Sequence, residues 1–163
     1  MRILVAGVGN VLKGDDGFGV RAAQALQTDS RLTADTIVLE TGIGGMHLVQ
    51  ELMQGYDAVV LLDAFDRGGT PGQLFLLEPE LPDTASLTDT ERRDYFAETH
   101  YAMPLRALTL AREVGALPAI VRIIGCQPAN IDTFGTPMSD AVAAAISPAV
   151  DLAFEVINGL RKA

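Results

Sequence analysis

The segment RILVAGVGNVLKGDDGFGV, residues Arg2–Val20, determines how the fold begins. Its first part, Arg2–Val8, is a short apolar run that ends among glycines, as a buried strand does. Apolar residues then recur near helical spacing, which predicts a helix from Gly17 to about Gln27. A buried strand, a glycine-rich turn and a helix are the first half of a βαβ unit. The segment therefore predicts an α/β protein with a parallel sheet.

The next part of the chain repeats this alternation. Two further strands are predicted, Thr36–Glu40 and Ala58–Ala64, and between them a glycine-rich turn, Thr41–Gly45, leads into a helix. Ala58–Ala64 is the most apolar strand, so we predict that it is central. The pattern predicts a three-layer sandwich in which a twisted, mainly parallel sheet carries one antiparallel strand and has helices on both faces. All 163 residues are expected to form a single domain.

The second half departs from the simple alternation. Gln73–Glu78 resembles a strand, but the turn before it is too short for a crossover helix, so we predict an antiparallel hairpin with the third strand. Residues Pro79–Thr99 are predicted to form a long loop. The remaining predictions are a helix over Met103–Val114, a strand over Ala119–Cys126, and a final helix over Ser139–Leu160 that Pro148 kinks.

Composition excludes several classes of function. The formal net charge is −9, and such a chain is repelled by phosphate backbones, which argues against a nucleic-acid partner. No apolar run approaches the ~18 residues that span a bilayer, and the first strand begins too early to leave room for a signal peptide, so we expect no membrane insertion and a cytoplasmic location. The single cysteine, Cys126, excludes an internal disulfide and is expected to be buried.

Two acidic residues mark the expected ligand site. Asp16 lies in the loop after the first strand, and Asp63 lies at the end of the third strand. Open α/β sheets bind ligands beyond the carboxyl ends of their strands, so the two carboxylates are expected to converge there. Converging carboxylates favour a hard cation or acid/base chemistry. Asp15 is the more structural of the adjacent pair, since acids near a helix N-terminus are stabilised by free N–H groups.

The glycine-rich loop also invites a comparison with nucleotide-binding motifs, and both motifs fail. The third glycine of G-x-G-x-x-G falls at Leu12. In the P-loop pattern Gly9 and Gly14 have the right separation, but Asp15 and Asp16 replace the lysine and hydroxyl residue. Two carboxylates beside a phosphate would repel it.

Histidine supplies a candidate third ligand. His100 precedes a predicted helix that has Pro104 in its first turn, and a position near the helix N-terminus favours the neutral imidazole that binds metals. Asp16, Asp63 and His100 together form a plausible three-ligand site for a divalent metal, with a position left for water or substrate. The other histidine, His47, is expected to pack within its helix.

The chain resembles the [NiFe]-hydrogenase maturation endopeptidases over nearly its whole length, and five stretches carry the resemblance. They are GVGNVLKGDDGFGVR near the start, ETGIGG after the second strand, LLDAFDRGGTPG at the third strand, ETHYAMPL around His100 and GCQP after the late strand. The resemblance implies a peptidase that removes a C-terminal extension from the hydrogenase large-subunit precursor once nickel has been inserted. It also implies that Asp16, Asp63 and His100 contact that nickel, and that the nickel is supplied by the substrate precursor.

The sequence leaves the chemical role of these residues open. Either the metal or a nearby carboxylate would polarise the carbonyl or activate water, and we favour recognition and positioning for the aspartates because a bound cation lowers their pKa values. Two other functions remain as alternatives: a checkpoint or chaperone that binds the nickel-loaded large subunit without cutting it, and a nucleotide-binding regulator on the same fold.

Overall fold

The computed structural model describes residues 1–97 and 104–162. Its strands form one sheet with the order β2-β1-β3-β5-β4. The first three strands and β5 are parallel to one another, whereas β4 is antiparallel to β5. The strand bounds are β1 Ile3–Val8, β2 Thr36–Gly42, β3 Ala58–Ala64, β4 Leu74–Leu77 and β5 Ile120–Cys126.

Helices cover both faces of this sheet, which confirms the predicted three-layer α/β architecture. Helices α1, α5 and α6 pack in one apolar cluster, and α2 and α4 pack in a second cluster on the opposite face. No helix within the described ranges is long and apolar enough to cross a membrane. The helix bounds are α1 Phe18–Gln27, α2 Gly45–Leu52, α3 Asp89–Ala97, α4 Pro104–Glu113, α5 Asp140–Ala144 and α6 Ile146–Lys162.

The third strand is central, as its composition predicts. All its residues are buried, and it lies between β1 and β5. Val60 and Leu62 pack in the first apolar cluster, whereas Val59 and Leu61 pack in the second. Full burial of one such side chain stabilises the fold by roughly 1.5 to 3 kcal/mol at most. The strand is thus fixed on both faces, and Asp63 near its carboxyl end is held in a defined position.

The predicted hairpin between β3 and β4 is wrong. β4 pairs with β5 instead, through contacts such as Leu74 with Cys126 and Leu77 with Ile123. Both edges of β3 are occupied by parallel partners, so no edge remains for β4. The turn between β3 and β4 therefore passes the end of β5, and β4 becomes the edge strand of the sheet.

The predicted loop over Pro79–Thr99 contains a helix, α3, and this prediction is also wrong in part. A capping box starts the helix: the Thr88 N–H donates to Glu91 Oε2 over 2.9 Å, and the Glu91 N–H donates to Thr88 Oγ1 over 3.3 Å. This Thr-x-x-Glu pattern satisfies two N–H groups that a helix start otherwise leaves unpaired. The signal is present in the sequence at residues 88–91.

Pro148 interrupts the last helix, as predicted. The break falls between α5, which ends at Ala144, and α6, which starts at Ile146. A proline ring clashes with the carbonyl four residues earlier, which here belongs to Ala144, and proline has no N–H to donate to it. The interruption therefore lies one turn before the proline.

Helix α1 packs directly on the sheet backbone through Gly19, and we expect Gly19→Ala to be strongly destabilising. A Cβ atom there would lie 2.0 Å from the Leu62 carbonyl oxygen and 2.3 Å from that of Val8. Because both atoms belong to the backbone, the helix must move, and we expect a loss of about 3 kcal/mol in the free energy of unfolding. Urea unfolding followed by circular dichroism would measure it.

Gly159→Ala in α6 is the matched control. Nothing lies within 4 Å of a Cβ atom at that position, so alanine should leave stability unchanged or raise it by up to about 1 kcal/mol. Equal stability of the two variants would contradict the close packing at Gly19.

Candidate active site at the carboxyl edge of the sheet

The loop after β1 fixes the position of Asp16. Gly9 has a φ of 122°, and a Cβ atom there would lie 1.8 Å from the Asp16 carbonyl oxygen, so only glycine fits. The N–H of Asn10 donates to Asp16 Oδ2 over 2.9 Å. A short 3-10 turn, Gly14–Gly17, then leads directly into α1. The glycine-rich loop therefore orients the Asp16 carboxylate and does not form a phosphate cradle.

Asp63 is a buried acid at the end of the central strand. Its side chain is 6% exposed, and burial followed by the charge of Asp16 raises its pKa to about 8, against an opposing hydrogen bond from the Ala64 backbone. Within the described ranges no lysine, arginine or histidine forms an ion pair with it. The free protein therefore holds Asp63 largely protonated at neutral pH.

The pKa of Asp16 is also raised. Burial is the main cause and the charge of Asp132 adds to it, whereas the Asn10 N–H and the charge of Lys13 oppose it. The negative charge of Asp16 in turn contributes to the raised pKa of Asp63. A cation bound beside these two carboxylates would offset the cost of their burial and the repulsion that Asp63 experiences from Asp16.

Asp16 and Asp63 line the same cavity of about 700 Å³. The predicted convergence of these two residues is thus present in the structure. The wall between and around them is largely apolar, with Ile43 and Phe134 among the lining residues, and Asp66 adds a third carboxylate. Buried, partly unpaired acids in a cleft of this size are typical of functional sites.

One basic side chain, Lys13, lines the cavity among residues 1–97 and 104–162. Its Nζ atom lies 4.8 Å from the centre of the Phe134 ring, which is itself 64% exposed. This cation–π contact holds the lysine at the cavity wall beside the carboxylates. The sequence places Lys13 next to the acids, but its spacing alone does not indicate that contact.

Asp15 has the structural role that the sequence predicts. The carboxylate is 1% exposed and accepts hydrogen bonds from the backbone N–H groups of Ala129, Asn130 and Ser139 and from Ser139 Oγ. Burial on its own would raise its pKa, but these bonds together hold the pKa below its ordinary value. Asp15 thus fastens the loop before α5, which carries Ile131 and Phe134 of the cavity wall.

His100 lies outside the residues that the structure describes. Pro104, the first residue of α4, lines the cavity, so the chain returns to this site four residues after His100. Within the described part of the chain no group of three His, Cys, Asp or Glu side chains is placed to hold a metal ion. His47 is exposed on α2, so its expected packing role is wrong.

Cys126 is buried at the end of β5, as predicted. Burial first, and the charge of Asp15 second, raise the pKa of its thiol to about 11. A thiol with such a pKa is almost entirely protonated at neutral pH, so it does not serve as a nucleophile.

Sequence reasoning missed Gln127, a buried side chain directly after β5. Its amide group bonds to the turn that follows Asp63 and to Asp66 in the cavity wall. Gln127 belongs to the GCQP stretch, and a polar residue immediately after a buried strand was the available signal.

Comparison with known proteins identifies the family. The family model for hydrogenase maturation proteases matches residues 20–156. The hydrogenase expression/formation protein HupD of Rhizobium leguminosarum bv. viciae is 31% identical over 157 residues, which cover 96% of this chain and 74% of the relative. The hydrogenase 2 maturation protease of Escherichia coli is 28% identical over 163 residues, with 99% and 92% of the two chains covered.

Solved structures agree with these relatives. The hydrogenase maturating endopeptidase HybD from Escherichia coli superposes with a TM-score of 0.74 at 27% identity and covers 99% of this chain and 93% of its own. The [NiFe] hydrogenase maturation protease HycI from Thermococcus kodakarensis gives 0.73 at 26% identity, with 96% and 92% covered. A matching sheet, an acid-lined cavity at its carboxyl edge and a family match over most of the sequence lead to one conclusion: this chain belongs to the hydrogenase maturation protease family and is a peptidase.

Proposed function

We propose that this peptidase removes the C-terminal extension of a [NiFe]-hydrogenase large-subunit precursor after nickel has been inserted. In this proposal Asp16, Asp63 and His100 contact the nickel that the precursor carries. The nickel belongs to the substrate and is not a resident cofactor. The two described carboxylates would add to ligands that the precursor itself supplies.

The proposal rests on the burial of Asp63 and on the raised pKa values of Asp16 and Asp63. Asp63 is buried without a paired cation among the described residues, and Asp16 raises its pKa further. An isolated buried carboxylate is costly unless it is neutral or binds a positive group. A metal ion arriving between Asp16 and Asp63 would replace the proton and stabilise both charged forms.

The position of α4 supports His100 as the third contact. Pro104 lies four positions after His100, and four residues of extended chain span at most about 14 Å. Pro104 lines the same cavity as Asp16 and Asp63, so His100 is joined by a short stretch of chain to a residue of the cavity wall. Imidazole and carboxylate are both suitable ligands for Ni²⁺.

Positioning is the chemical role that this arrangement supports for the acids. Carboxylates bound to a cation have lowered pKa values and are weak bases. Their grip on the metal would hold the precursor so that its scissile bond lies in the 700 Å³ cavity, beside the metal. Polarisation of the carbonyl or of a water molecule by the metal would then assist hydrolysis.

The decisive experiment compares nickel-loaded and nickel-free precursor. We expect the protein to shorten only the nickel-loaded precursor, and mass spectrometry of the precursor would show the loss of its C-terminal segment. A stable complex without shortening would instead support a checkpoint that binds and does not cut. Equal cleavage of both forms would contradict nickel recognition.

Single variants test two of the three contacts, Asp16 and His100. Asp16→Asn and His100→Ala are each expected to reduce the rate of cleavage by at least about 100-fold, since each removes a ligand from the metal. Glu155→Gln is the control, because Glu155 is exposed on α6 and lies outside the cavity wall. Normal cleavage by both Asp16→Asn and His100→Ala would disprove the assignment of these residues.

A further inference from the structure

Gln127 makes a saturated set of hydrogen bonds at the cavity wall. Its side chain is 4% exposed, and its Oε1 accepts from the N–H groups of Arg67 over 2.8 Å and Gly69 over 3.0 Å. Its Nε2 donates to Asp66 Oδ1 over 2.8 Å and to the Pro128 carbonyl over 3.3 Å. Because the two backbone N–H groups can only donate, the orientation of the amide is fixed.

The backbone of Gln127 fastens the same turn a second time. Its carbonyl accepts from the Gly72 N–H over 2.8 Å, and its N–H donates to the Gln73 carbonyl over 2.8 Å. The turn between β3 and β4 is therefore held at both ends by one residue. Phe65 and Asp66 open this turn, and both line the cavity with Asp63.

The pKa of Asp66 is shifted in the opposite direction to the pKa values of Asp16 and Asp63. The bond from Gln127, followed by one from the Gly68 N–H over 2.9 Å, holds the pKa of Asp66 below its ordinary value. Both bonds end on Oδ1, and in the described part of the chain Oδ2 accepts no hydrogen bond. Arg67, the adjacent cation, lies over the Phe75 ring at 5.6 Å and does not pair with Asp66.

We propose that Asp66 is a substrate-binding carboxylate and that Gln127 is its positioning residue. Oδ2 of Asp66 accepts a hydrogen bond from an N–H group of the precursor chain next to the metal-bearing segment. The donor is either a basic side chain or a main-chain amide. This inference rests on the proposed function and extends it, since it gives the cavity a second contact that does not involve the metal.

The buried Gln127 amide fixes the orientation of the Asp66 carboxylate, and a mobile surface acid would lack this orientation for binding the substrate. A carboxylate with one oxygen held by two donors has a fixed direction for its other oxygen, so less ordering is needed when the substrate binds. The contact is expected to be made equally in the bound substrate and in the transition state. It therefore affects KM and leaves kcat nearly unchanged.

Three variants test the proposal on nickel-loaded precursor. Asp66→Ala should raise KM by about tenfold with kcat within about twofold, as loss of one charge-assisted bond predicts. Gln127→Glu should act in the same direction, since it loses both donated bonds and faces Asp66 with a second carboxylate while it keeps its acceptor for Arg67 and Gly69. Gln73→Ala is the control: among the described residues its Oε1 accepts only from the Thr70 N–H in the same turn, over 3.3 Å, and KM should not change.

Asp66→Asn distinguishes the two donors. Asparagine keeps a hydrogen-bond acceptor and loses the charge. If the donor is a basic side chain, KM should rise by about tenfold and become independent of salt. If the donor is a main-chain amide, KM should change by less than about threefold.

Failure of this inference is separable from failure of the proposed function. Unchanged KM in Asp66→Ala, with normal cleavage by the wild-type protein, overturns the inference alone. An equal rise in KM for Gln73→Ala also overturns it, because the effect would then come from general order in the turn. Absence of cleavage by the wild-type protein overturns the proposed function and this inference together. Thermal unfolding of each variant identifies a loss of fold.

Discussion

Replacement of Asp63 by asparagine is expected to abolish cleavage and to stabilise the protein at neutral pH. The two effects have one cause. Asp63 is held at the end of a fully buried strand, where burial and Asp16 raise its pKa to about 8. Asparagine has nearly the same shape and stays neutral, so it removes the penalty of the buried charge. Under the proposed function it also removes the negative oxygen that would contact the metal.

The sign of the stability effect follows from proton linkage. In the unfolded chain an aspartate has a pKa of about 3.9. Between that value and about 8 the folded state retains a proton on Asp63 that the unfolded state has lost, so the free energy of unfolding decreases as pH rises through this range. Asparagine lacks this dependence. At pH 7 the expected gain is on the order of 4 kcal/mol.

Urea unfolding at pH 5 and pH 8 would measure this gain. The stability of Asp63→Asn relative to the wild-type protein should increase between the two pH values. Glu155→Gln removes an exposed carboxylate and should show no such increase. An Asp63→Asn protein that is less stable than the wild-type protein at pH 8 would show that the carboxylate is stabilising in the free protein, contrary to the expectation.

The same proton also links substrate binding to pH. A metal ion can be bound by Asp63 only after the proton has left. The KM for nickel-loaded precursor should therefore fall as pH rises towards about 8, and the Asp63→Asn protein should not bind the metal-bearing segment with the same pH dependence. A wild-type KM that is constant from pH 6 to pH 8 would contradict this mechanism.

Local patterns predicted most of the fold. The apolar runs that gave β1, β3 and β5 each correspond to a strand, because strands buried on both faces must be continuously apolar. The partner of β4 could not be predicted in this way. Its pairing depends on which sheet edge is vacant, and β5, which takes the edge of β3, comes more than 40 residues later in the chain. Helix α3 was missed although its Thr88 capping box is local.

The site was predictable where chain topology controls it. Asp16 lies in the loop after β1, and Asp63 lies near the end of the adjacent parallel strand β3. Parallel topology brings residues at these positions to one edge of the sheet. The contacts of Gln127 with Asp66 join residues 61 positions apart through side-chain atoms, and no periodicity encodes such a contact. Lys13 is similar: its place at the cavity wall depends on Phe134, which a distant loop supplies.

Asp15 offers the opposite case to Asp63, and its replacement by alanine is expected to weaken both the fold and the cavity. Its buried carboxylate accepts bonds over 2.8 Å from Ala129 N–H, 3.1 Å from Asn130 N–H, and 2.7 and 3.0 Å from the N–H and Oγ of Ser139. Alanine leaves these donors without an acceptor. We expect a loss of about 3 to 4 kcal/mol in the free energy of unfolding.

The stability lost in Asp15→Ala depends on pH in the opposite sense to the stability cost of the Asp63 carboxylate. The pKa of Asp15 is held below its unfolded value, so its contribution is complete above about pH 4 and disappears as pH falls through the folded pKa. The difference in stability between the wild-type protein and Asp15→Ala should be constant from pH 5 to pH 8 and should shrink in acid. From pH 5 to pH 8 the stability gained by Asp63→Asn is instead expected to increase.

Cleavage should also suffer in Asp15→Ala, because the released loop carries Ile131 and Phe134 of the cavity wall. Under conditions where the variant is still folded, we expect kcat/KM for nickel-loaded precursor to fall by about tenfold or more, as misplacement of a substrate-binding wall predicts. Asp140→Ala is the matched control, since Asp140 is an exposed acid in the first turn of α5, directly after Ser139. It should lose no more than about 1 kcal/mol, the size of a helix-dipole interaction. Similar losses in both variants would show that general negative charge near α5, and not the bonds to Asp15, holds this loop against the cavity.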